Sequence, residues 1–426
     1  MMPALTALQP NFVFHDGRFG PGVVHLDGHG RIVSVDAAPL PGAARVQLRN
    51  MALLPGFINA HSHVFQRLLR GVAERPTGRA EDFWSWRTAM YALVDRMTPE
   101  LLEDIATATY LEMRQAGYTR VKEFHYLHHL PVGRRYADPH ELTRRLIAAA
   151  RTAGIALELM RVVYLDATEP SQRRFQDASI DEAITLTDEL HRTAGIPVGI
   201  APHSVRAVSP DGFRRCAEWA RLRGAELHAH VAEQPKEVAW CMDRHGRTPV
   251  ALLAEAGALG PRTHAVHLTH LNDADVTLIG QSGTVAVICP STEANLADGI
   301  PRLPELLSAG AGLAIGSDSQ AHIDPFLELR SLEYHERLRS GRRCHLGPGE
   351  LLTATTVRQN PGDLADFLLI DLDSPSLAGV PLPSLDAALA FGADARVIAG
   401  HWHALGPRPV TLRPDLLRAA ARTVWV

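Results

Sequence analysis

The segment MALLPGFINAHSH, residues 51–63, reads as an apolar strand that runs into two histidines one residue apart. Residues i and i+2 of an extended chain point to the same side, so His61 and His63 can face a single metal at a strand end. Outward from this segment, seven more short apolar runs rich in β-formers recur: TRVKEFHY (119–126), IALELMRVVY (155–164), VGIAPHS (198–204), AELHAHV (225–231), HAVHL (264–268), TVAVIC (284–289) and GLAIGS (312–317). Amphipathic stretches lie between them at 99–116, 139–153, 181–194 and 325–340, and TPELL, DPHEL and SPDGF mark helix starts. Eight strands alternating with helices predict an α/β chain folded as a (β/α)8 TIM-type barrel, whose active sites lie at the C-terminal strand ends. A doubly wound open sheet is the alternative. No GxGxxG follows an early strand, which disfavours its dinucleotide-binding form.

Residues 11–50 hold short alternating segments, FVF, VVHL, RIVSV and RVQL, separated by Gly, Asp and Pro. The last 60 or so residues look similar, with strand-like ADFLLIDLD and ARVIAGHWHAL. The two ends are therefore expected to form one small β-sandwich: residues 1–53 its N-terminal part, 54–360 the barrel, 361–426 its C-terminal part.

Chemistry concentrates at the strand ends. Beyond His61 and His63, the fifth strand ends in His230-Val-Ala-Glu233, the sixth in His267, and the eighth in Asp318 of GSDS. Three histidines and a carboxylate form a nitrogen/oxygen set suited to one divalent metal per chain, zinc or alternatively ferrous iron. Glu233, three residues past His230, can sit near the metal without binding it, where a proton shuttle is needed. Each residue also has a plainer reading. A histidine ending a strand can be a satisfied polar residue, and Asp318 alone reads as a turn cap. With 22 histidines, about one HxH triplet arises by chance and three occur, at 61–63, 228–230 and 401–403. His228 reads as buried filler or support, and HWH at 401–403 as a surface strand. What favours the metal is that four strand ends of one predicted barrel carry ligand-type residues.

Composition agrees with a soluble enzyme. The chain has 426 residues, and its net charge of −4 argues against a nucleic-acid partner. No apolar run is long enough for a membrane span. The start lacks a secretory signal. Four scattered cysteines without CxxC fit a reducing, cytoplasmic setting.

LPGFINAHSH, HVAE, HLTH and GSDS, in that order, resemble the metal-site motifs of the amidohydrolase superfamily, in its one-metal deaminase branch. HSHVFQR (61–67), FWSWRTAMY (83–91), EFHYLHH (123–129), RYADPHEL (135–142), PHSVRAVSP (202–210), HAHVAEQPKEV (228–238) and STEANLADG (291–299) resemble the formimidoylglutamate deiminases within it. The resemblance covers nearly the whole chain. It implies His61, His63, His230 and Asp318 as metal ligands, and Glu233 and His267, with Asp318, as catalytic groups. It implies Gln66, Arg87, Tyr126, His203 and Arg206 as contacts to a small dicarboxylate substrate, N-formimino-L-glutamate, and suggests a homodimer. Guanidinium forks suit carboxylates, and Arg87 and Arg206 supply two. Taken without the resemblance, Arg87 reads as a surface helix residue and Arg206 as half of a structural ion pair. Lys122, mid-strand, raises the reading of a carboxylated lysine bridging two metals, against the one-metal pattern. The stretch LLTATTVRQNPGDLADFLLIDLD is shorter than in relatives, which leaves the closing helix in question. Two rivals stay open: a deaminase or chlorohydrolase of an aromatic heterocycle, which would need stacking aromatics and no arginine pair, and a non-catalytic scaffold, which would be expected to lose ligands.

Overall fold

A computed structural model describes residues 5–75 and 83–425. Eight parallel strands in sequential order make the barrel: Phe57–Ser62, Tyr118–His125, Ala156–Val163, Val198–Pro202, Leu227–Val231, Thr263–His267, Val285–Ile288 and Gly312–Ile315. The ring closes through a parallel bridge between Ser62 and Asp318. There the Asp318 N–H donates to the His61 carbonyl at 2.9 Å, and the His63 N–H to the Asp318 carbonyl at 3.0 Å. The closure thus falls at the C-terminal mouth, between the segments that carry the predicted ligands.

The opening segment serves two sheets. Its first half ends the strand Ala44–Pro55, which belongs to the terminal sheet, and its second half is the first barrel strand. Gly56 is the switch point: its N–H donates to the Asp366 carbonyl of the terminal sheet, while Phe57 N–H donates to the Gly117 carbonyl on the barrel side. A Cβ at Gly56 would overlap the Thr119 side chain, so only glycine allows this approach. The single run expected over 51–58 is therefore two strands.

The two chain ends do combine. Thr6–His15, Val23–Leu26, Ile32–Asp36, Ala44–Pro55, Asp366–Asp371, Ile398–His403 and Gly406–Pro407 form one continuous mixed sheet, with Arg18–Gly20 attached to its first strand. It encloses a separate core of Leu8, Val13, Val24, Leu26, Leu53, Phe367 and Trp402. Residues 1–4 and 426, at the ends of the expected terminal parts, lie outside the described residues. HWH does sit in a terminal hairpin, but His401 and Trp402 are buried, which corrects the surface reading. The C-terminal region also holds two helices where only strands were expected, Leu385–Gly392 and Pro414–Trp425. The second buries Leu417, Ala420 and Val424, a three- and four-residue spacing that fits a helical stripe, against the helix Pro99–Ala116.

Caps fix the helix starts that place the loops. Thr98 accepts from Leu101 N–H with Pro99 in the first turn, and Ser209 accepts from Gly212 N–H with Pro210 behind it; each such cap is worth about 1 kcal/mol. At the shortened segment near 355–365, Leu351 and Leu352 of the helix Pro348–Thr355 are buried, and Val357 N–H donates to the Gly56 carbonyl at 2.7 Å. No helix among the described residues is long and apolar enough to cross a membrane.

Candidate active site and metal centre

His61, His63, His230 and Asp318, all buried, bring one donor atom each within 4.8 Å of the others. His61 Nε2 lies 3.1 Å from His230 Nε2 and 3.3 Å from Asp318 Oδ1, which is 3.2 Å from His63 Nε2. Four donors at zinc–nitrogen distances of about 2.0–2.1 Å in tetrahedral array stand roughly 3.3 Å apart, so the spacings fit a small divalent ion. The protonation states fit as well. His63 Nδ1 faces the Phe124 carbonyl at 2.9 Å, which holds its proton there and leaves Nε2 a lone pair. Burial, then neighbouring imidazoles, pull His61 and His230 well below the usual histidine range, and burial followed by His61 brings His63 down to about 3. Neutral imidazoles are the ligating form. Asp318 caps nothing: its carboxylate is directed at the imidazoles, and its backbone adopts φ 47°. That left-handed conformation is held by the two ring-closing hydrogen bonds.

His267, also at positive φ (77°), lies beside this cluster, its Nε2 3.9 Å from Asp318 Oδ2 and 3.7 Å from Glu233 Oε1. Its Nδ1 is 3.4 Å from Glu293. Burial opposes protonation of His267, but Glu233, Glu293 and Asp318 outweigh it and raise the ring to about 10. Glu233 Oε2 accepts from Arg206 Nη2 at 3.1 Å, and Glu237 Oε2 stands 3.8 Å from the same nitrogen. Burial lowers the Arg206 guanidinium, and Glu237 and Glu233 more than offset it.

Every residue of the predicted set except His61, which is fully buried, lines one cavity of about 510 Å³ at the barrel mouth. Gln66 donates to the Tyr126 hydroxyl at 2.8 Å. The His203 ring lies 4.8 Å from that of His230, and its Nδ1 is 3.1 Å from Ser204 Oγ. Arg87, on the helix Phe83–Asp95, stacks over Trp84 at 4.4 Å and Tyr91 at 5.5 Å; it faces the cavity rather than open solvent.

Several residues escaped the sequence reading. Buried Glu123 accepts from Ser62 Oγ at 2.6 Å and Val64 N–H at 2.9 Å, and so positions the backbone on either side of His63; burial raises it to about 8. Glu293 lies inside the quoted STEANLADG, with no role attached to it. Glu237 accepts from Glu233 N–H at 3.2 Å; its spacing of four from Glu233 was the available signal. Lys122 does not approach the metal-type cluster: it pairs with Glu226 at 2.6 Å and Glu158 at 3.4 Å. His228 bonds the same Glu226 at 3.1 Å, in keeping with its reading as buried support. Glu226, His228 and His264 also bring donors together, but the two rings stack 4.3 Å apart at 12°. Parallel rings keep their in-plane lone pairs parallel, so these do not converge on an ion, and Lys122 already supplies the cation.

Such a barrel mouth is that of a metal-dependent hydrolase. The chain belongs to the amidohydrolase family, whose sequence model matches residues 52–359. Among curated proteins it is 39% identical over 383 residues to the formimidoylglutamate deiminase of Pseudomonas aeruginosa, covering 82% of this chain and 84% of the relative. It is 30% identical over 421 residues to the 8-oxoguanine deaminase of the same organism, covering 92% and 88%. Among solved structures, an amidohydrolase from Brucella melitensis superposes with TM-score 0.87 at 32% identity, over 98% of this chain and 99% of the other.

Proposed function

We propose that the protein hydrolyses N-formimino-L-glutamate to N-formyl-L-glutamate and ammonia, a step of histidine degradation, and that it does so as a cytoplasmic homodimer. The observation that carries this reading is one cavity joining a four-donor metal cluster to two arginines, in a chain related to a formimidoylglutamate deiminase. His61, His63, His230 and Asp318 would hold a divalent metal, zinc at one per chain, which when bound would make hydroxide available near neutral pH. Asp318 takes up the proton lost by the attacking water. His267, within reach of Asp318 and Glu233, polarises the tetrahedral centre that forms at the formimino carbon. Glu233 carries a proton to the nitrogen that departs as ammonia. Arg206 and Arg87 hold the carboxylates and bring the formimino carbon within reach of attack. Gln66, Tyr126 and His203 line the path between the arginines and the histidine cluster.

The aromatic lining of the cavity, together with the 30% identical relative, favours a second reading, deamination of a heterocycle. Against it, Arg87 and Lys236 both stack on the Trp84 ring, at 4.4 and 5.2 Å, so that ring is engaged by cations rather than left open for a base. Ammonia release from N-formimino-L-glutamate, set beside 8-oxoguanine, guanine and cytosine, tests the assignment. Preference for a purine or pyrimidine would overturn the substrate and leave the metal site standing; inactivity on all four with the metal bound would favour a scaffold.

A further inference from the structure

Arg206, inside the cavity, is already shared with two carboxylates of the protein, Glu233 at 3.1 Å and Glu237 at 3.8 Å. One guanidinium so engaged leaves a substrate with two carboxylates short of a counter-charge. Apart from the imidazoles at the metal cluster, the remaining basic side chains lining the cavity are Arg87 and Lys236. Neither has a carboxylate within ion-pair distance among the described residues, and both stand over Trp84.

Lys236 is also placed against local preference. It lies in the first turn of the helix Pro235–His245, where the helix dipole disfavours a cation. Its side chain is exposed at the cavity rim. An ammonium beside a helix N-terminus, next to a guanidinium, neither ion-paired among the described residues, makes an anion subsite at the outer end of the cavity. On the substrate proposed above, the α-carboxylate sits on the carbon bonded to the retained formimino nitrogen, closer to the reacting carbon than the γ-carboxylate is, and belongs with Arg206, which touches Glu233. The γ-carboxylate, two methylenes farther out, reaches the rim.

We propose that Lys236 is a specificity-determining residue that, with Arg87, binds the γ-carboxylate of the substrate. This rests on the N-formimino-L-glutamate reading. Lys236→Met keeps the aliphatic stem over Trp84 and removes only the charge. With the metal-loaded enzyme at low salt, it is expected to raise KM for N-formimino-L-glutamate about 3- to 10-fold, with kcat within about twofold. Lys236→Arg should stay near the parent. The fall of kcat/KM with added salt should be shallower in Lys236→Met, because one charge no longer steers the anion. N-formimino-L-norvaline, which replaces the γ-carboxylate with a methyl group, should be used poorly by the parent and no worse by Lys236→Met. An unchanged KM in Lys236→Met, or an equal loss on both substrates, would overturn the subsite while the substrate assignment stands. A parent enzyme that does not turn over N-formimino-L-glutamate would overturn that assignment, and the subsite with it.

Discussion

Gly316 offers a sharp test of how the barrel closure holds the metal cluster. It stands between the eighth strand and Asp318, and its backbone φ does not require glycine. Space does: a Cβ there would lie 2.8 Å from the backbone nitrogen, the carbonyl oxygen and the Cβ of His61. Ordinary contact begins near 3.4 Å, so Gly316→Ala forces the two segments apart by about 0.6 Å. His61 cannot yield alone, because its carbonyl accepts the Asp318 N–H at 2.9 Å. The closure carrying His61 and Asp318 therefore moves relative to His63 and His230, by more than the roughly 0.2 Å that metal–ligand distances tolerate. Overpacking alone costs about 1–3 kcal/mol of stability, which a protein of this size can survive folded. The expected result is a folded enzyme whose zinc affinity falls at least about tenfold, the scale seen when groups that orient ligands are lost, with activity falling in parallel.

The assay is zinc competition against a chelator of known affinity, read beside thermal unfolding of the metal-free protein. Gly280→Ala supplies the control. Gly280, in the helix Asp273–Ser282, is more tightly crowded, a Cβ there overlapping Ala309 of the neighbouring helix, but it lies away from the cluster. It should lose at least as much stability and keep parental zinc affinity. If Gly316→Ala bound zinc as the parent does, or if Gly280→Ala lost zinc equally, the argument from His61 displacement would fail.

Glu233→Gln is expected to keep the metal and lose about 10²-fold or more in kcat, since the amide preserves shape but carries no proton; metal analysis and steady-state kinetics check it. Arg87→Met should raise KM for N-formimino-L-glutamate by about one to two decades with kcat retained. Arg206→Met should depress kcat as well, because it also frees Glu233 from its partner at 3.1 Å; a pure KM effect in Arg206→Met would argue against that coupling. His125 is pushed down to about 3 by burial first and Arg161 second, against about 6.5 unfolded. Between those values the unfolded chain binds a proton that the folded chain refuses, so stability falls as pH drops from 6.5 towards 3. His125→Gln should therefore flatten the pH dependence of the urea midpoint of the metal-free protein between about pH 5 and 6.5, and an unchanged slope would refute the assignment.

What the sequence makes legible is whatever repeats with a short period or ends a strand. The barrel strands show as β-rich apolar runs, and His61, His63, His230, His267 and Asp318 stand where those runs stop. The strand order needed no further signal, because parallel strands joined by helices in chain order leave little topological choice. The helix Pro414–Trp425 was legible by the same rule and was missed: Leu417, Ala420 and Val424 recur at helical spacing with arginines between them, but the strand-like runs just before it drew the whole C-terminal region into the sheet.

Harder to read are residues whose purpose lies in a distant partner. Glu123 matters through Ser62 and Val64, about sixty positions earlier, and Gly56 through Thr119. Gly316 matters only because His61 passes 2.8 Å from where its side chain would be. Nothing local distinguishes these glycines from turn formers, since neither adopts a positive φ. Arg206 is the instructive middle case. Its type suits a carboxylate, and the structure does supply carboxylates, but they are the protein's own Glu233 and Glu237. An arginine in a cavity therefore cannot be counted as a free counter-charge until its internal partners are known. That is why charge balance at this mouth turns on Arg87 and Lys236, the second of which lies inside the quoted HAHVAEQPKEV with no role attached to it and stands at a helix start where the dipole works against it.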